Sequence, residues 1–498
     1  MTQDELDLQQ DFQELLALAR SAAHRLRFFR LQLLTRPGII RHTSRAALMP
    51  LLDTTLQTYT RLIAELKRAL WASTETASER ITQKHEIADK LRMLQGITAS
   101  LLVSADWQSP SFKHATHSQA GRQTGKIVGT FNDYKRDRHL DAEAYEQQFR
   151  RAYLDFAPPL LTTVRVTSSG MAAFVTVLHA LQFARQFDGP LLVGTACYFE
   201  NKILLNRLFA DRITYVDEFN TDEIVAAAER LQPRAIFLDS LCNTETIPMP
   251  NLKELFARLA QVVQRPCHLV LDNSGMAVMY QPLRDFPLLQ NRLQLIVLES
   301  LNKYHQFGFD RVTGGIIWTV GLIEPGIGGA REHLGTNMPD ASVLALPTPN
   351  RTLLERRMRR LGRNAQRVAE ALQTHVEKRA ATTPISHVVY PGLPSYPGFA
   401  WAKDLPFHGA FLTLAFKPGL QSVGLYKRFL NIAIEEAKAA GVPLVAGTSF
   451  GMNTTRMYLT ALMSTKMTTP FLRIAVGTET KDELDKLIFA LTQAIDRL

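Results

Sequence analysis

The chain has 498 residues, 46% of them hydrophobic and 21% charged, with 57 basic against 47 acidic side chains and a net charge of +10. Such a length suits about three units of roughly 150 residues each, with sizeable cores, and the composition excludes a disordered or fibrous chain. Three cysteines are too few for a disulfide framework, and no apolar run reaches the ~18–20 residues of a membrane span, so a cytoplasmic protein without membrane attachment is expected.

The opening MTQDELDLQQDFQ is acidic and polar, unlike a secretory signal. Residues 1–105 read as an N-terminal helical extension. Apolar residues recur at helical spacing in FQELLALARSAAHRLRFFRLQLL and in LMPLLDTTLQTYTRLIAELKRALW, with a break at Arg36-Pro37-Gly38, and SERITQKHEIADKLRMLQGITASLL supplies a third helix. Residues 106–159 start with DWQSPSFKHATHSQAGRQTGK, a polar stretch that reads as a loop or arm. From 160 to 375 short apolar runs (PLLVGTA, AIFLDS, HLVLDNS, LQLIVLES, GGIIWTV) alternate with helical segments, the signature of a large parallel sheet covered on both faces. From 376 to 498 a smaller α+β unit is expected, with strands LTLAFK and LRIAVGT. Basic runs occur at 111–138 and at 351–379, the second with eight arginines and one lysine against three glutamates. No nucleic-acid motif accompanies them and aromatics do not interleave as a stacking platform requires, so no nucleic-acid partner is expected. Packing and solvation suffice for the helix around Arg356–Arg367.

Ligands of parallel sheets sit at the carboxyl ends of the strands. That edge receives Ser169, Tyr198, Asn243, Asp272 and Lys303, each at or just beyond the end of an apolar run. A lysine amine beside a carboxylate suits pyridoxal phosphate (PLP): the amine forms a Schiff base and the acid keeps the pyridine nitrogen protonated. Ser168, Ser169 and Gly170 precede an apolar helix, whose N-terminus offers N–H groups and a positive dipole to a phosphate. Tyr198 is placed to stack on the ring. No metal site is expected.

In this order the residues are recognisable. The chain resembles the Cys/Met-metabolism family of fold-type-I PLP enzymes: cystathionine γ-synthase, cystathionine lyases, methionine γ-lyase and O-acylhomoserine sulfhydrylases. The resemblance rests on 134-YKR-136, 169-SGMAA-173, Tyr198, Asn243 in 239-DSLCNTE, 271-LDNS-274, 300-SLNKY-304 with Gly314-Gly315, 352-TLLERRMRRLGRNA-365 and 472-LRIAVG-477. Asn302 stands where the family has Thr, QFGFDRV replaces the usual G-H-S/G-D, and the first ~105 residues have no counterpart in typical members.

The resemblance implies an aspartate aminotransferase-like α/β fold with a large domain, a smaller C-terminal domain and the added helices. It implies that Lys303 holds PLP and shuttles protons, and that Asp272 pairs with the pyridinium. Ser169, Gly170, Met171 and Ser300 would bind the phosphate, with Asn243 and Tyr198 at the ring. Tyr134 and Arg136 would reach the phosphate of a neighbouring subunit, implying a homodimer or homotetramer. Arg473, assisted by Ser449, would hold the substrate carboxylate. The expected activity is elimination or γ-replacement at Cγ or Cβ of an amino acid, through a quinonoid and a vinylglycine-type intermediate, with a second nucleophilic substrate in the replacement case. Arg456, a surplus arginine near the carboxylate site, extends the substrate range to S-adenosylmethionine or leaves that arginine paired with a local carboxylate. An aminotransferase or α-oxoamine synthase is the alternative enzyme, and a PLP-free interaction scaffold the alternative to an enzyme.

Overall fold

The computed structural model describes residues 1–35, 42–71, 76–104, 135–136, 139–155, 161–184, 187–287, 292–321, 326–460 and 470–498. Tyr134 and residues 106–133 of the expected arm lie outside them. The helical expectation for the first hundred residues is met by α1 (Gln3–Thr35), α2 (His42–Trp71) and α3 (Ala77–Val103). Their apolar stripes are core: Phe12, Leu26, Leu52, Tyr59, Ile87 and Leu91 are buried in one cluster with residues of the large sheet. The start of α3 is fixed by a capping box, in which Thr76 and Glu79 satisfy each other's backbone N–H groups. Within the span read as an arm, α4 (Leu140–Tyr153) forms because Ala142, Tyr145, Phe149 and Tyr153 recur at helical spacing and bury against that same cluster.

Seven strands follow: β1 (Leu161–Thr167), β2 (Leu191–Gly194), β3 (Ile213–Val216), β4 (Ala235–Asp239), β5 (Cys267–Asp272), β6 (Leu293–Ser300) and β7 (Gly315–Gly321). They form one mixed sheet in the order β1-β7-β6-β5-β4-β2-β3. From β3 across to β6 the pairing is parallel, whereas β7 runs antiparallel to both β6 and β1. Period-two alternation splits the side chains between two cores. Phe237, Val270, Ile296 and Ile317 pack beneath α5 (Gly170–Phe183), while Leu238, Leu271, Val297 and Trp318 join the cluster that holds the N-terminal helices. Both faces are covered, which is why these strands read as continuous apolar runs. Beyond β2 lies α6 (Phe199–Phe209).

The long α7 (Arg351–Lys378) leads to a five-stranded sheet. Its strands are β8 (Ile385–Val389), β9 (Phe411–Phe416), β10 (Val445–Ala446), β11 (Arg456–Thr460) and β12 (Phe471–Ala475), ordered β10-β11-β12-β9-β8. It packs on α7, α8 (Val423–Ala439) and α9 (Lys481–Asp496) over a third apolar cluster that includes Leu372, Leu412, Phe429 and Leu487. Around Arg356–Arg367, where packing and solvation are expected to suffice, packing dominates on the face toward α1. Arg357 and Arg360 are 2% and 3% exposed and meet carboxylates of α1.

The strand ends converge tightly. Ser300 of β6 and Thr167 of β1 both face Gly315 at the start of β7. A Cβ at Gly315 would overlap the carbonyl of Ser169, a backbone atom that cannot move without displacing α5. Gly315→Ala is therefore expected to cost about 1–3 kcal/mol. Gly314→Ala should cost much less, because the nearest atom is the mobile Met338 methyl at 3.0 Å. Thermal melts of the two variants check this contrast.

Candidate active site

The carboxyl edge of the large sheet and the second sheet enclose a cavity of about 590 Å³. Lys303, Asp272, Tyr198, Asn243, Ser169, Gly170, Met171, Ser300 and Arg473 all line it. Nine of the thirteen residues anticipated from the sequence thus share one space.

Each is placed by the fold. Ser169 is the N-cap of α5, its hydroxyl accepting the Ala172 N–H at 2.9 Å. The opening turn of α5 therefore points its remaining N–H groups at the cavity. Asp272 ends β5 and accepts the Ser274 N–H at 2.9 Å. Burial raises its pKa, opposed by the hydrogen bonds from Ser274. Lys303 sits three residues beyond β6, Nζ donating to Ser449 Oγ at 3.1 Å and lying 5.0 Å from the Phe450 ring centre. Burial first, then the Arg473 charge, push the Lys303 amine down to about 8, with Asp310 and Asp272 opposing.

Arg473, on β12, is 3% exposed. Its guanidinium donates to Asn243 Oδ1 at 2.8 Å and to the Ser449 carbonyl at 3.1 Å, and its Nε has no partner among the described residues. Burial lowers its pKa to about 10, so it stays a cation at neutral pH. Tyr198 caps α6, its N–H bound to Asp239 Oδ2 at 3.0 Å and its hydroxyl to Glu200 Oε2 at 3.1 Å. Burial and the Glu200 charge hold that phenol well above its ordinary pKa.

Of the other four anticipated residues, Ser449 and Arg456 lie beside this space, Arg136 does not line it, and one is undescribed. Ser449 meets Lys303 through its hydroxyl and Arg473 through its carbonyl. Arg456, on β11, donates to the Thr448 carbonyl at 3.1 Å and lies 3.8 Å from Asp310 Oδ2. Arg136 is exposed, and its carbonyl accepts from Asn337 at 2.6 Å. Tyr134 is the undescribed one. Asn302 turns its side-chain carbonyl to the Gly314 N–H at 2.8 Å, so the Thr-to-Asn departure is absorbed in holding the loop.

Sequence reasoning missed two carboxylates. Asp239 and Asp272 are direct neighbours in the β4–β5 register. Burial and the Asp272 charge raise the Asp239 pKa. The run AIFLDS ends in that acid as HLVLDNS does in its own, which was the available signal. Glu200 also lines the cavity, in the first turn of α6, and no motif announced it. The three cysteines are buried and unbridged. Among the described residues no helix is long and apolar enough to cross a membrane.

Comparison with known proteins converges on the same chemistry. The model of the Cys/Met metabolism PLP-dependent enzyme family matches residues 97–495. Among curated relatives, the bifunctional enzyme flvA of Aspergillus flavus is 27% identical over 319 residues, 63% of this chain and 37% of that protein. L-methionine gamma-lyase of Porphyromonas gingivalis is 27% identical over 328 residues, 64% of this chain and 75% of the relative. The match to flvA thus spans well under half of that protein, and the match to L-methionine gamma-lyase of Fusobacterium nucleatum subsp. polymorphum 61% of it. Among solved structures, cystathionine gamma synthase from Xanthomonas oryzae pv. oryzae superposes with a TM-score of 0.57 at 19% identity, covering 75% of this chain and 90% of that one. Cystathionine gamma-lyase from Lactobacillus plantarum gives 0.55 at 21% identity, covering 75% and 91%. These likenesses give the fold-type-I architecture, and the family match covers four fifths of the sequence: the chain belongs to the PLP-dependent enzymes of cysteine and methionine metabolism.

Proposed function

We propose that the cavity binds PLP through Lys303 and catalyses elimination or replacement at Cγ, or at Cβ, of a small amino acid. One observation carries this reading: Lys303, Asp272, Arg473 and the N-terminus of α5 line a single cavity. The donor set suits the cofactor. Asp272 is a buried acid to which a pyridinium would restore full ionisation, and the first turn of α5 offers a phosphate its N–H groups with Ser169, Gly170, Met171 and Ser300 around it. Bound there, PLP supplies the electron sink that acidifies Cα–H.

The chain's own residues do the rest. Arg473, with Nε unpartnered, holds the substrate α-carboxylate, and Asn243 fixes the plane of its guanidinium at 2.8 Å. Lys303, close to neutral pKa, takes the Cα proton and moves it on. Ser449 orients Nζ from 3.1 Å. Tyr198, protonated at neutral pH and lining the cavity, would stack on a bound ring and donate a proton toward the leaving group. The cations lining the cavity, among the described residues, are Lys303 and Arg473. Among the described residues no further cation lines the cavity for a dianionic phosphate, which favours a homo-oligomer in which Tyr134 and Arg136 reach a neighbour's site. Arg456 spends its contacts on Thr448 and Asp310, so this reading does not require a nucleotide-bearing substrate such as S-adenosylmethionine. The gamma-lyases and gamma-synthases among the relatives support chemistry at Cγ.

Purified protein should carry the visible absorbance of PLP and lose it in Lys303→Ala; colourless protein that takes up no added PLP would end the proposal. A panel of β- and γ-substituted amino acids, with and without thiol nucleophiles, should give a 2-oxo acid or a replacement product from at least one γ-substituted member. Arg473→Lys is expected to raise KM for that substrate by roughly 10–100-fold with a smaller change in kcat. In the apoprotein, trace acylation of Lys303 followed by mass spectrometry should rise with pH through a midpoint near 8, because only the neutral amine reacts and burial destabilises the ammonium.

A further inference from the structure

The family match begins at residue 97, so α1 and most of α3, Arg92 included, precede it. Yet both helices grip loops inside the matched part, and those loops flank Lys303. The first loop is 307–311. On α3, Arg92 Nε donates to the Phe309 carbonyl at 2.6 Å and Nη2 to the Asp310 carbonyl at 3.5 Å. One turn further along, the Arg311 guanidinium lies against Gly96 so closely that a Cβ there would overlap it. The second loop is 449–453. Arg357 Nη2 donates to the Gly451 carbonyl at 3.2 Å and to Asn453 Oδ1 at 2.6 Å, while its Nη1 donates to Glu14 Oε1 of α1 at 2.8 Å.

These loops carry backbone strain. Six non-glycine residues among those described have positive φ, and three of them are Phe307 (52°), Asp310 (46°) and Ser449 (75°). Such conformations cost of order 1–3 kcal/mol each and persist only where the surroundings over-determine them. One strained residue touches the Lys303 amine, and its loop presses on the Lys303 backbone. Ser449 Oγ accepts from Lys303 Nζ, and a Cβ at Gly451 would come within 3.0 Å of the Lys303 carbonyl carbon. Arg456 ties the loops together through Asp310 at 3.8 Å.

We propose that α1 and α3 form a clamp that holds the two strained loops around Lys303, with Glu14 and Arg92 as its positioning residues. Glu14 acts through Arg357 on 449–453, and Arg92 acts directly on 307–311. The segment outside the family match thereby sets the geometry of the amine inside it. This rests on the loops' contacts and holds whichever amino acid the site transforms.

Amide hydrogen exchange of the full-length, PLP-loaded protein tests it. Glu14→Gln should quicken exchange in 449–453, and Arg92→Met in 307–311, each at least about tenfold. Exchange across β4, β5 and β6 should stay within about twofold of the parent in both. Arg92→Lys, which keeps a donor for the Phe309 carbonyl, should restore most of the protection. Arg92 is exposed, so its variants retain the fold even if the buried Glu14 variant does not. If 307–311 or 449–453 keeps parental exchange when its anchor is removed, if exchange rises evenly over the molecule, or if only α1 loosens, the clamp is refuted. None of these outcomes depends on the proposed reaction, which the absorbance and substrate tests address separately.

Discussion

The site depends on withholding water from the Lys303 amine. An exposed lysine is an ammonium at neutral pH and can neither attack nor accept a proton. Here burial and the nearby Arg473 cation lower its pKa, while Asp272 and Asp310 keep the shift moderate at about 8. The amine is left close to balance between its two forms at physiological pH, which general acid–base work requires. Reaching that balance needs the β6 end, the 307–311 loop between β6 and β7, the 449–453 loop and β12 all to close on one point. Loss of any wall would rehydrate the amine and return its pKa toward that of an ordinary lysine.

Arginine is used here in two opposite ways. Arg473 is buried with Nε unpartnered and two acceptors that are neutral, Asn243 and a carbonyl. It is therefore poised for an anion brought from outside. Along α7 the arginines that face α1 each meet a carboxylate, where Arg473 meets none. Arg357 meets Glu14, Arg360 meets Asp11 at 2.7 Å, and Arg363 meets both oxygens of Asp7 at 2.9 Å. The acids stand at i, i+4 and i+7 on α1, so a single helical stripe faces a single arginine stripe. Lys84 of α3 adds a bond of 2.9 Å to Glu483 of α9.

The large sheet and the cavity were legible because parallel strands covered on both faces appear as unbroken apolar runs, and each run ends in a chemically distinct residue. Ser169, Asp272 and Lys303 stand out for that reason, whereas Arg473, in the middle of β12, was reached only through the resemblance. What escaped had no local signal. β1 reads TTVRVT and resembles a surface strand until β7 covers it. Asp239 drew no role of its own, since its significance lies in its register with Asp272 across two strands. The pairing of α7 with α1 was invisible because its partners are about 350 positions apart. A run of arginines taken alone is equally a solvated face, and only the tertiary contact decides.

That pairing also shows what the added helices contribute. Burying an ion pair yields little net stability, because desolvation offsets most of the attraction, whereas removing one partner leaves a charge stranded and costs several kcal/mol. The acid stripe of α1 therefore specifies one docking register more than it strengthens the fold. Apolar packing of Phe12, Leu15 and Leu26 supplies the adhesion, and shifting α1 by one turn would retain much of it. The same shift would strand Arg357, Arg360 and Asp7 in the interior together. Arg357 also holds the 449–453 loop, so a slipped helix would misplace the wall beside Lys303 as well. Specificity of docking and geometry of the site are thus enforced by one guanidinium, and neither can be relaxed without the other.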